Sequence, residues 1–431
     1  MSTSQYNAVI RIQSMYTQQL LLDTISRRPE WNVIDIPCKP VIVQQSDTIQ
    51  QYKSINDSYW CSKVDDCNQE EKKLCATDYY TDTDFTTPIW STIQLQIDEF
   101  ERLGFEVSMS SATDNNLMII SAYPVRKGLI RKSNMCYLLQ KYARKRSTSC
   151  LNRCIPRTYV FELEDVDYID EALNDCYEVR DMRLDGSEIY IMKAAIVDKA
   201  QSIHIITDPQ QIYDICISEP DIREYIIQQY IVNPLLINSK KFHIRVYVLC
   251  VGNLTVYVHQ EMLCLFATHK YNTDYTDVSA HITNTCVNES VDGFNETEQI
   301  QLLTEVMNDS DCVNITSQIN ACIHDVFECL HSEPMYFMPS SNSYELYGFD
   351  FMIDTDHHVY LLEANAQPDF SQTLDRLKYV VENVIENTFQ LAIDTRFHTT
   401  TQHNNTKSPA TDTMKLVYQR INTTQNRMRY Y

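Results

Sequence analysis

Apolar and polar positions change rhythm several times along the chain. Within residues 1–45, "YTQQLLLDTISRR" has helical spacing and "WNVIDIP" reads as a strand. Residues 46–90 lose that rhythm. "QSDTIQQYKSINDS", "CNQEEKKLC" and "DYYTDTDFTT" are polar and acidic, and most of this stretch is expected to be loop or insertion. "STIQLQIDEFERLGFE", 91–106, returns to helical spacing and should end near Gly104. From about Thr158, short β-like runs alternate with helical ones: "YVFEL", "IYIMKAA", "IHIIT", "IIQQYIV", "FHIRVYVLCV" and "TVYVH". The spacing of Leu377, Val380, Val381, Val384, Ile385 and Phe389 predicts a helix over 374–393. The tail 395–431 is polar and is expected to be mobile. No internal repeat is visible.

Length and composition narrow the picture. A chain of 431 residues holds roughly two or three domains, and 44% hydrophobic residues can bury a sizeable core. With only 6 glycines, any glycine-rich phosphate loop is degenerate or absent, and neither G-x-G-x-x-G nor G-x-x-x-x-G-K-[ST] occurs. The net charge of −22 argues against nucleic acid and anionic membranes as general partners. No signal-peptide pattern and no run of about 18 apolar residues is present, so the expected location is cytoplasmic. The 15 cysteines are scattered and read as reduced thiols. Cys61, Cys67 and Cys75 match no zinc spacing.

One window runs against the overall charge. Residues 121–160 hold Arg126, Lys127, Arg131, Lys132, Lys141, Arg144, Lys145, Arg146, Arg153 and Arg157, with no Asp or Glu. It reads either as a solvated face balanced by acids elsewhere, or as a basic groove over 126–157 for an acidic ligand.

The most informative stretch is "GFDFMIDTDHHVYLLEANAQPDF", 348–370. Side chains alternate faces along a strand. Gly348, Asp350 and Met352 then share one face, and Phe349, Phe351 and Ile353 the other. On the second strand, Val359, Leu361, Glu363 and Asn365 are expected together. A turn centred on Asp356–His357 puts Asp350 directly opposite Glu363, where like charges repel. A divalent cation between them reverses that sign, and Asn365 adds a third oxygen to a set of hard ligands suited to Mg²⁺. The hairpin alone is also compatible with one exposed carboxylate, or with a buried arginine neutralising the pair.

Two further stretches bear on the same chemistry. In "SKKFHIRVYVLC", 239–250, Phe242, Ile244, Val246 and Val248 can fill a core face, leaving Lys241, His243 and Arg245 on the other. Arg and Lys so placed suit phosphate binding, and a charged sheet edge is the structural alternative. In "IYIMKAAIVDKAQSIHII", 189–206, Lys193 sits within an apolar run. Either a phosphate partners it or it faces solvent. On the phosphate reading, Val197–Ser202 is a flexible cover.

Taken together and in this order, "YIMKAAIVDKAQSIHI", "IIQQYIVNPLLI", "KKFHIRVYVL", "HITNTC" and "LYGFDFMIDTDHHVYLLEANAQPDF" resemble the tubulin–tyrosine ligase-like family, which has the ATP-grasp fold. The likeness covers about Pro156 to Ile393. "EMLCLFATHKY", 261–271, is similar to the fungal branch, and the N-terminal part matches only loosely. The implied fold is α+β: an N-terminal α/β domain over 1–155, ATP-grasp subdomains over 156–235 and 236–394, and a tail. The implied metal ligands are Asp350, Glu363 and Asn365. ATP contacts carry over to Lys193, to Lys199, Gln201 and Ser202 in the loop, and to Gln228, Gln229, Tyr230 and Ile231 in the hinge. They also carry over to Lys241, His243, Thr283 and Asn284. Lys241 and Arg245 occupy the basic strand above the phosphates and acyl group. His281 corresponds to a substrate contact, and Arg131 and Lys132 lie where an acidic substrate tail is expected.

The implied reaction consumes ATP with Mg²⁺. A peptide carboxylate attacks the γ-phosphate, and the amine of a free amino acid displaces phosphate from the acyl-phosphate. Tyrosine addition to the acidic C-terminal tail of tubulin is the leading expectation. A polyglutamylase-type ligation is one alternative, and an ATP-grasp pseudoenzyme acting as a binding module is another. The chain also departs from the family. His243 stands where aspartate is common, and it cannot supply an aspartate's negative charge. Ala200 and Ser202 replace loop glycines, Ala194 follows Lys193 where proline is usual, and Leu265 lies about where many members have an arginine.

Overall fold

The computed structural model describes residues 6–10, 15–29, 31–35, 89–91, 118–175, 179, 188–195, 202–283, 299–366, 368–370, 373–395 and 410–420. Of the helix expected over 91–106 only Ser91 is described, and it belongs to a strand instead; the rest of it and most of the 46–90 stretch lie outside these residues. The chain divides into two compact units, Met1–Ala122 and Tyr123–Tyr431. The region expected over 1–155 does not coincide with the first unit, since residues 123–155 cluster with the second.

In the first unit β1 (Tyr6–Ile10), helix α1 (Met15–Ser26) and β2 (Trp31–Asp35) form a strand–helix–strand unit, followed by β3 (Ile89–Ser91) and β4 (Met118–Ile120). The sheet order is β2-β1-β3-β4 and every pairing is parallel. Parallel neighbours need a crossover, which α1 supplies between β1 and β2. Leu20, Leu21, Thr24 and Ile25 form its buried face at helical spacing. Ile89 and Trp90 thus belong to a strand, although they lie at the end of the stretch expected as insertion.

The second unit holds α2 (Lys132–Lys145), β5 (Thr158–Glu162), β6 (Tyr190–Ala194), β7 (Ile203–Ile206), α3 (Gln210–Ser218) and β8 (Glu224–Gln229). Strands β5-β8-β6-β7 form an antiparallel sheet. Phe161, Met192, Ile206, Tyr225 and Ile227 pack on Ile212 and Cys216 of α3 in one core cluster.

Next come β9 (Leu236–Ile237), β10 (Lys240–Val251), β11 (Thr255–His259), β12 (Leu263–Phe266), β13 (Ile300–Leu302), α4 (Asp309–His331), β14 (Tyr344–Ile353), β15 (Val359–Ala366), α5 (Leu374–Thr388) and β16 (Met414–Gln419). These strands form an eight-stranded sheet, with all pairings antiparallel. Strand β10 is central. Its first half pairs with β12 and its second with β11, while β14 runs along the opposite edge. Its charges therefore do not guard an exposed edge.

One face of this sheet is core. Phe242, Ile244, Val246 and Val248 of β10, with Phe349 and Phe351 of β14, pack on Ile319, Cys322, Ile323, Val326 and Phe327 of α4. Truncating one of these side chains to alanine costs about 2–5 kcal/mol. Helix α4 is capped by Asn308, whose side chain accepts from the Asp311 N–H at 3.0 Å, and Asp309 and Asp311 favour its N-terminal dipole. Helix α5 buries Leu377, Val380, Val381, Val384 and Ile385, and a π-helical turn over Phe389–Asp394 extends it.

The expectation of a mobile tail fails over residues 414–419. There β16 adds to the edge of β11, burying Met414 and Tyr418, and the Tyr418 hydroxyl meets His331 Nδ1 at 2.7 Å. A register shift between Val256 and Tyr257 breaks the alternation that would otherwise have marked "MKLVYQ" as a strand. Among the described residues no helix is long and apolar enough to cross a membrane.

Candidate active site

The face of the eight-stranded sheet opposite α4 meets the four-stranded sheet across a cleft. Lining it are Lys193, Gln228, Gln229, Tyr230 and Ile231 from one sheet, and Lys241, His243, Asp350 and Glu363 from the other. His281 and Thr283 complete the wall. Residues separated by up to 170 positions along the chain therefore converge on one space.

The hairpin of β14 and β15 brings the carboxylates together. Asp350 pairs directly with Glu363, but Phe351 pairs with Leu361, so Leu362 is an extra residue. The bulge decides the facing. Val359, Leu361 and Ala364 join the core, whereas Met352, Leu362 and Glu363 line the cleft. Val359, Leu361, Glu363 and Asn365 were expected on one face and are not. Regular alternation would have forced two carbonyl-bearing polar side chains into the same layer as two core aliphatics, and the bulge resolves that conflict.

The polar atoms are closely spaced. Asn365 Nδ2 donates to Asp350 Oδ2 and to Glu363 Oε1, both at 3.2 Å. Turning that amide over presents its oxygen to the same space. Arg245 grips Asp350 from β10 through two hydrogen bonds, from Nε to Oδ1 at 2.5 Å and from Nη2 to Oδ2 at 3.1 Å. The arginine expected only as an alternative neutraliser is thus in place. Lys132 Nζ lies 3.9 Å from Glu363 Oε2. Burial pushes the Glu363 carboxyl up, but Lys132, Lys193, the Asn365 amide and Arg245 outweigh it and bring the group to about 2. A cluster of hard oxygen donors that stays anionic beside several cations fits a divalent ion carrying phosphates.

The basic strand is buried. Lys241, His243 and Arg245 are all below a tenth exposed. Lys241 Nζ donates to the Tyr230 hydroxyl at 2.8 Å and lies 4.1 Å from that ring's centre. The Tyr230 hydroxyl meets His281 Nδ1 at 2.8 Å, and His281 Nε2 meets the Asp274 carbonyl at 3.0 Å. Burial and the nearby Lys193 charge lower Lys241 to about 7. Burial also lowers Lys193, although Glu363 opposes it, and Lys193 Nζ donates to Gln228 Oε1 at 3.3 Å. His243 is lowered to about 4, mainly by burial, so its ring is neutral at physiological pH.

Other expected residues are placed differently. Arg131 is exposed and does not line the cleft. Ser202 holds a φ of 55°, the region glycine occupies without cost, and its hydroxyl donates to Glu219. Lys199, Gln201 and Asn284 lie outside the described residues. Leu265 pairs with His243 across β10 and β12 and is buried.

The basic window is not one continuous groove. Arg126 is buried against Glu345 at 2.6 Å, Lys141 pairs with Glu333 at 2.6 Å, and Arg157 pairs with Glu188. Arg131, Arg144, Lys145, Arg146 and Arg153 are exposed, and Arg146 stacks on Tyr142.

Tyr271 and Tyr275 were not anticipated. Tyr275 stacks on His281 with centroids 5.0 Å apart, and both rings meet His281 or Tyr230 edge-on or stacked. Their signal was two tyrosines four apart in the polar run "KYNTDYTD". Among the described residues, one set of three His, Cys, Asp or Glu side chains has all its ligand atoms within 4.8 Å: Asp354, Asp356 and His358 at the hairpin tip. Asp354 there caps the turn, accepting from the Asp356 and His358 N–H groups and the Tyr360 hydroxyl.

Known proteins share this arrangement of sequence. The profile described as the tubulin-tyrosine ligase family matches residues 110–403. A probable tubulin–tyrosine ligase of Schizosaccharomyces pombe is 33% identical over 328 residues, covering 66% of this chain and 79% of that protein. The probable tubulin–tyrosine ligase Pby1 of Saccharomyces cerevisiae is 31% identical over 347 residues, 70% of this chain but 46% of that one. A human probable tubulin polyglutamylase is 29% identical over 272 residues. In three dimensions the C-terminal domain of Kluyveromyces lactis Pby1, described as an ATP-grasp enzyme interacting with the mRNA decapping enzyme Dcp2, superposes with a TM-score of 0.62. That match covers 96% of this chain and 99% of the domain at 23% identity, and it identifies the fold as ATP-grasp.

Proposed function

The chain belongs to the tubulin-tyrosine ligase family, and from that membership we propose that it joins an amino acid, tyrosine in the simplest case, to an acidic C-terminal peptide such as the tubulin tail, using ATP and Mg²⁺. One observation carries the reading: the paired Asp350 and Glu363 line a cleft with Lys193 and Lys241, and Arg245 is bonded to Asp350.

Each residue has a task on this reading. Gln228, Gln229, Tyr230 and Ile231 line the base, with Tyr230 held by Lys241 and His281. Lys193 and Lys241 offer cations to the phosphates. Asp350, Glu363 and Asn365 would hold the metal, which would screen negative charge on the phosphates and on the transferring phosphoryl. Arg245, held by Asp350 through two hydrogen bonds, is assigned to the charge of the transferring phosphoryl and acyl-phosphate. The peptide carboxylate oxygen bonds to the γ-phosphorus as the bond to ADP breaks. The amino-acid nitrogen then bonds to the acyl carbon, phosphate leaves, and two of the ammonium's three protons are released to solvent, the third remaining on the amide. Positioning and fixed charge carry most of the acceleration. The exposed cations Arg131, Arg144, Lys145 and Arg153 support an acidic acceptor despite the net charge of −22.

Calorimetry tests the proposal. ATP should bind more tightly with Mg²⁺ than without it, and Glu363→Gln should abolish that difference. Failure of the wild-type chain to bind ATP would overturn the ligase reading. A second reading, a nucleotide- or peptide-binding module without turnover, is favoured by Ala200, His243 and Leu265. ATP binding without ADP production in the presence of tubulin and a full set of amino acids would select it.

A further inference from the structure

His243 carries an atom that the unliganded fold leaves unused. Its Nδ1 is taken by Thr283 Oγ1 at 2.6 Å. Its Nε2 is fully enclosed and has no hydrogen-bond partner. The residue is 5% exposed and lines the cleft with Asp350 and Glu363. Buried polar atoms are nearly always satisfied, so an orphan here calls for a partner that arrives with the ligand.

The direction of that atom narrows the choice. Nε2 lies 3.8 Å from Asp350 Oδ1, too far for a hydrogen bond. Two ligand atoms on one divalent ion lie roughly 3–4 Å apart, given bond lengths of about 2.0–2.2 Å. Asp350 Oδ2 in turn shares the Asn365 amide with Glu363. The imidazole thus stands on the flank of the same oxygen cluster.

We propose that His243 Nε2 is a nitrogen ligand of the divalent cation, and that the resulting mixed nitrogen–oxygen site prefers a first-row transition ion such as Mn²⁺ to Mg²⁺. This rests on the metal site proposed above. Mg²⁺ favours oxygen donors, whereas imidazole suits the transition ions. Thr283 serves as the outer-shell partner. By accepting the Nδ1–H it fixes the tautomer that leaves the Nε2 lone pair free, a standard arrangement for ligating histidines. Where aspartate occupies this strand position, the same place offers charge and oxygen. In this chain it offers a neutral nitrogen.

The test uses the full chain labelled with ¹⁵N and loaded with Mn²⁺ and unlabelled ATP. Pulsed electron paramagnetic resonance should detect a directly bound ¹⁵N in the wild type and none in His243→Asp or His243→Asn. Calorimetry should show the Mn²⁺-over-Mg²⁺ preference falling about tenfold or more in both variants, with melting curves confirming that each variant folds. Bound Mn²⁺ without ¹⁵N coupling would overturn the role of His243 while leaving the oxygen site intact. Equal loss of ATP affinity with either metal, absent for a nucleotide lacking ribose hydroxyls, would assign Nε2 to the sugar and also overturn it. If the wild type binds no Mn²⁺ under conditions where Glu363→Gln behaves identically, the metal site itself fails, and this inference with it.

Discussion

Gly348 lies so close to Arg245 that a Cβ on it would stand 3.1 Å from Arg245 Cδ and 2.9 Å from Pro368 Cβ. The glycine is needed for space, on a strand where the neighbouring pairing sets it against Tyr247. Its absent side chain leaves room for Arg245 Cδ and Nε to pass against β14, from where the guanidinium reaches Asp350 with two hydrogen bonds.

Gly348→Ala should therefore act through Arg245. Overpacking costs about 1–3 kcal/mol, and the displaced guanidinium no longer holds Asp350 from both nitrogens. ADP production should fall roughly tenfold or more, with ATP affinity changed much less, because Arg245 is assigned to the transferring group. Steady-state kinetics with a melting curve would check this. Unchanged turnover would mean that Arg245 does not need this placement.

Lys241 gives the cleft a pH dependence. Burial, with help from Lys193, brings its ammonium from 10.5 to about 7. The unfolded chain keeps that proton up to its ordinary value. Between about 7 and 10.5 the unfolded state therefore binds more protons, and the stability of the unliganded chain rises with pH through this window. A phosphate in the cleft restores the charged form. ATP binding at about pH 8 should take up a proton, and affinity should fall as pH rises from about 7 to 9. Calorimetry in buffers of different ionisation enthalpy measures the uptake, which Lys241→Met should remove. Binding heats independent of buffer would exclude Lys241 as the coupled group.

The Arg126–Glu345 pair makes the opposite kind of prediction. Both partners are almost fully buried at 2.6 Å, and Glu345 also accepts from the Tyr347 hydroxyl and the Tyr123 N–H. Removing one partner of such a pair costs about 3–5 kcal/mol, so Arg126→Leu should lower the urea midpoint accordingly. Burial already pushes the Glu345 carboxyl up, Arg126 opposing it. Without Arg126 it rises further. A raised carboxyl favours the fold below its unfolded value and disfavours it as pH climbs through the folded one. The variant should lose less stability near pH 4 than at pH 8. An equal loss at both would show that Glu345 stays ionised without its partner.

How much of this was legible in the chain depends on the range of the interactions. The two faces of β10 followed from alternation along one strand. The opposition of Asp350 to Glu363 was expected from a turn centred on Asp356–His357 and is observed by another route: Ile353 pairs with Val359, so unbroken register would set Asp350 against Leu362, and the bulge restores Glu363 as its partner. The partners of the basic window were not legible. Glu333, Glu345 and Glu363 come from positions some two hundred residues away, and only the packing of α2 and the preceding turn against the eight-stranded sheet brings them to Lys141, Arg126 and Lys132. The edge strand Met414–Gln419 was hidden for another reason: six residues with an irregular inward pattern carry little signal until β11 offers them an edge. The tyrosines around His281 are a third case, since aromatic residues in a polar loop acquire meaning only through what they touch.

The bulge at Leu362 is the sharpest test of how local pattern and tertiary need are reconciled. Val359 and Leu361 belong to the core, and Glu363 belongs to the cleft. Uninterrupted alternation would put all three on one face, so one residue must be absorbed. Deleting Leu362 leaves "VYLEANA", in which simple alternation already sends Val359, Leu361 and Ala364 inward and Tyr360, Glu363 and Asn365 outward. Every pairing from Asp350–Glu363 to Ile353–Val359 is retained. The shortened chain should therefore fold, losing Leu362's contacts with the cleft and the extra local twist that a bulge imparts, at a cost of about 2 kcal/mol or less. Its cleft geometry should still change, because the twist aims Glu363. ATP binding should weaken more than the melting temperature falls. A chain that fails to fold would show that the bulge is required for the hairpin itself, and one that binds ATP unchanged would show that its twist has no part in aiming the carboxylate.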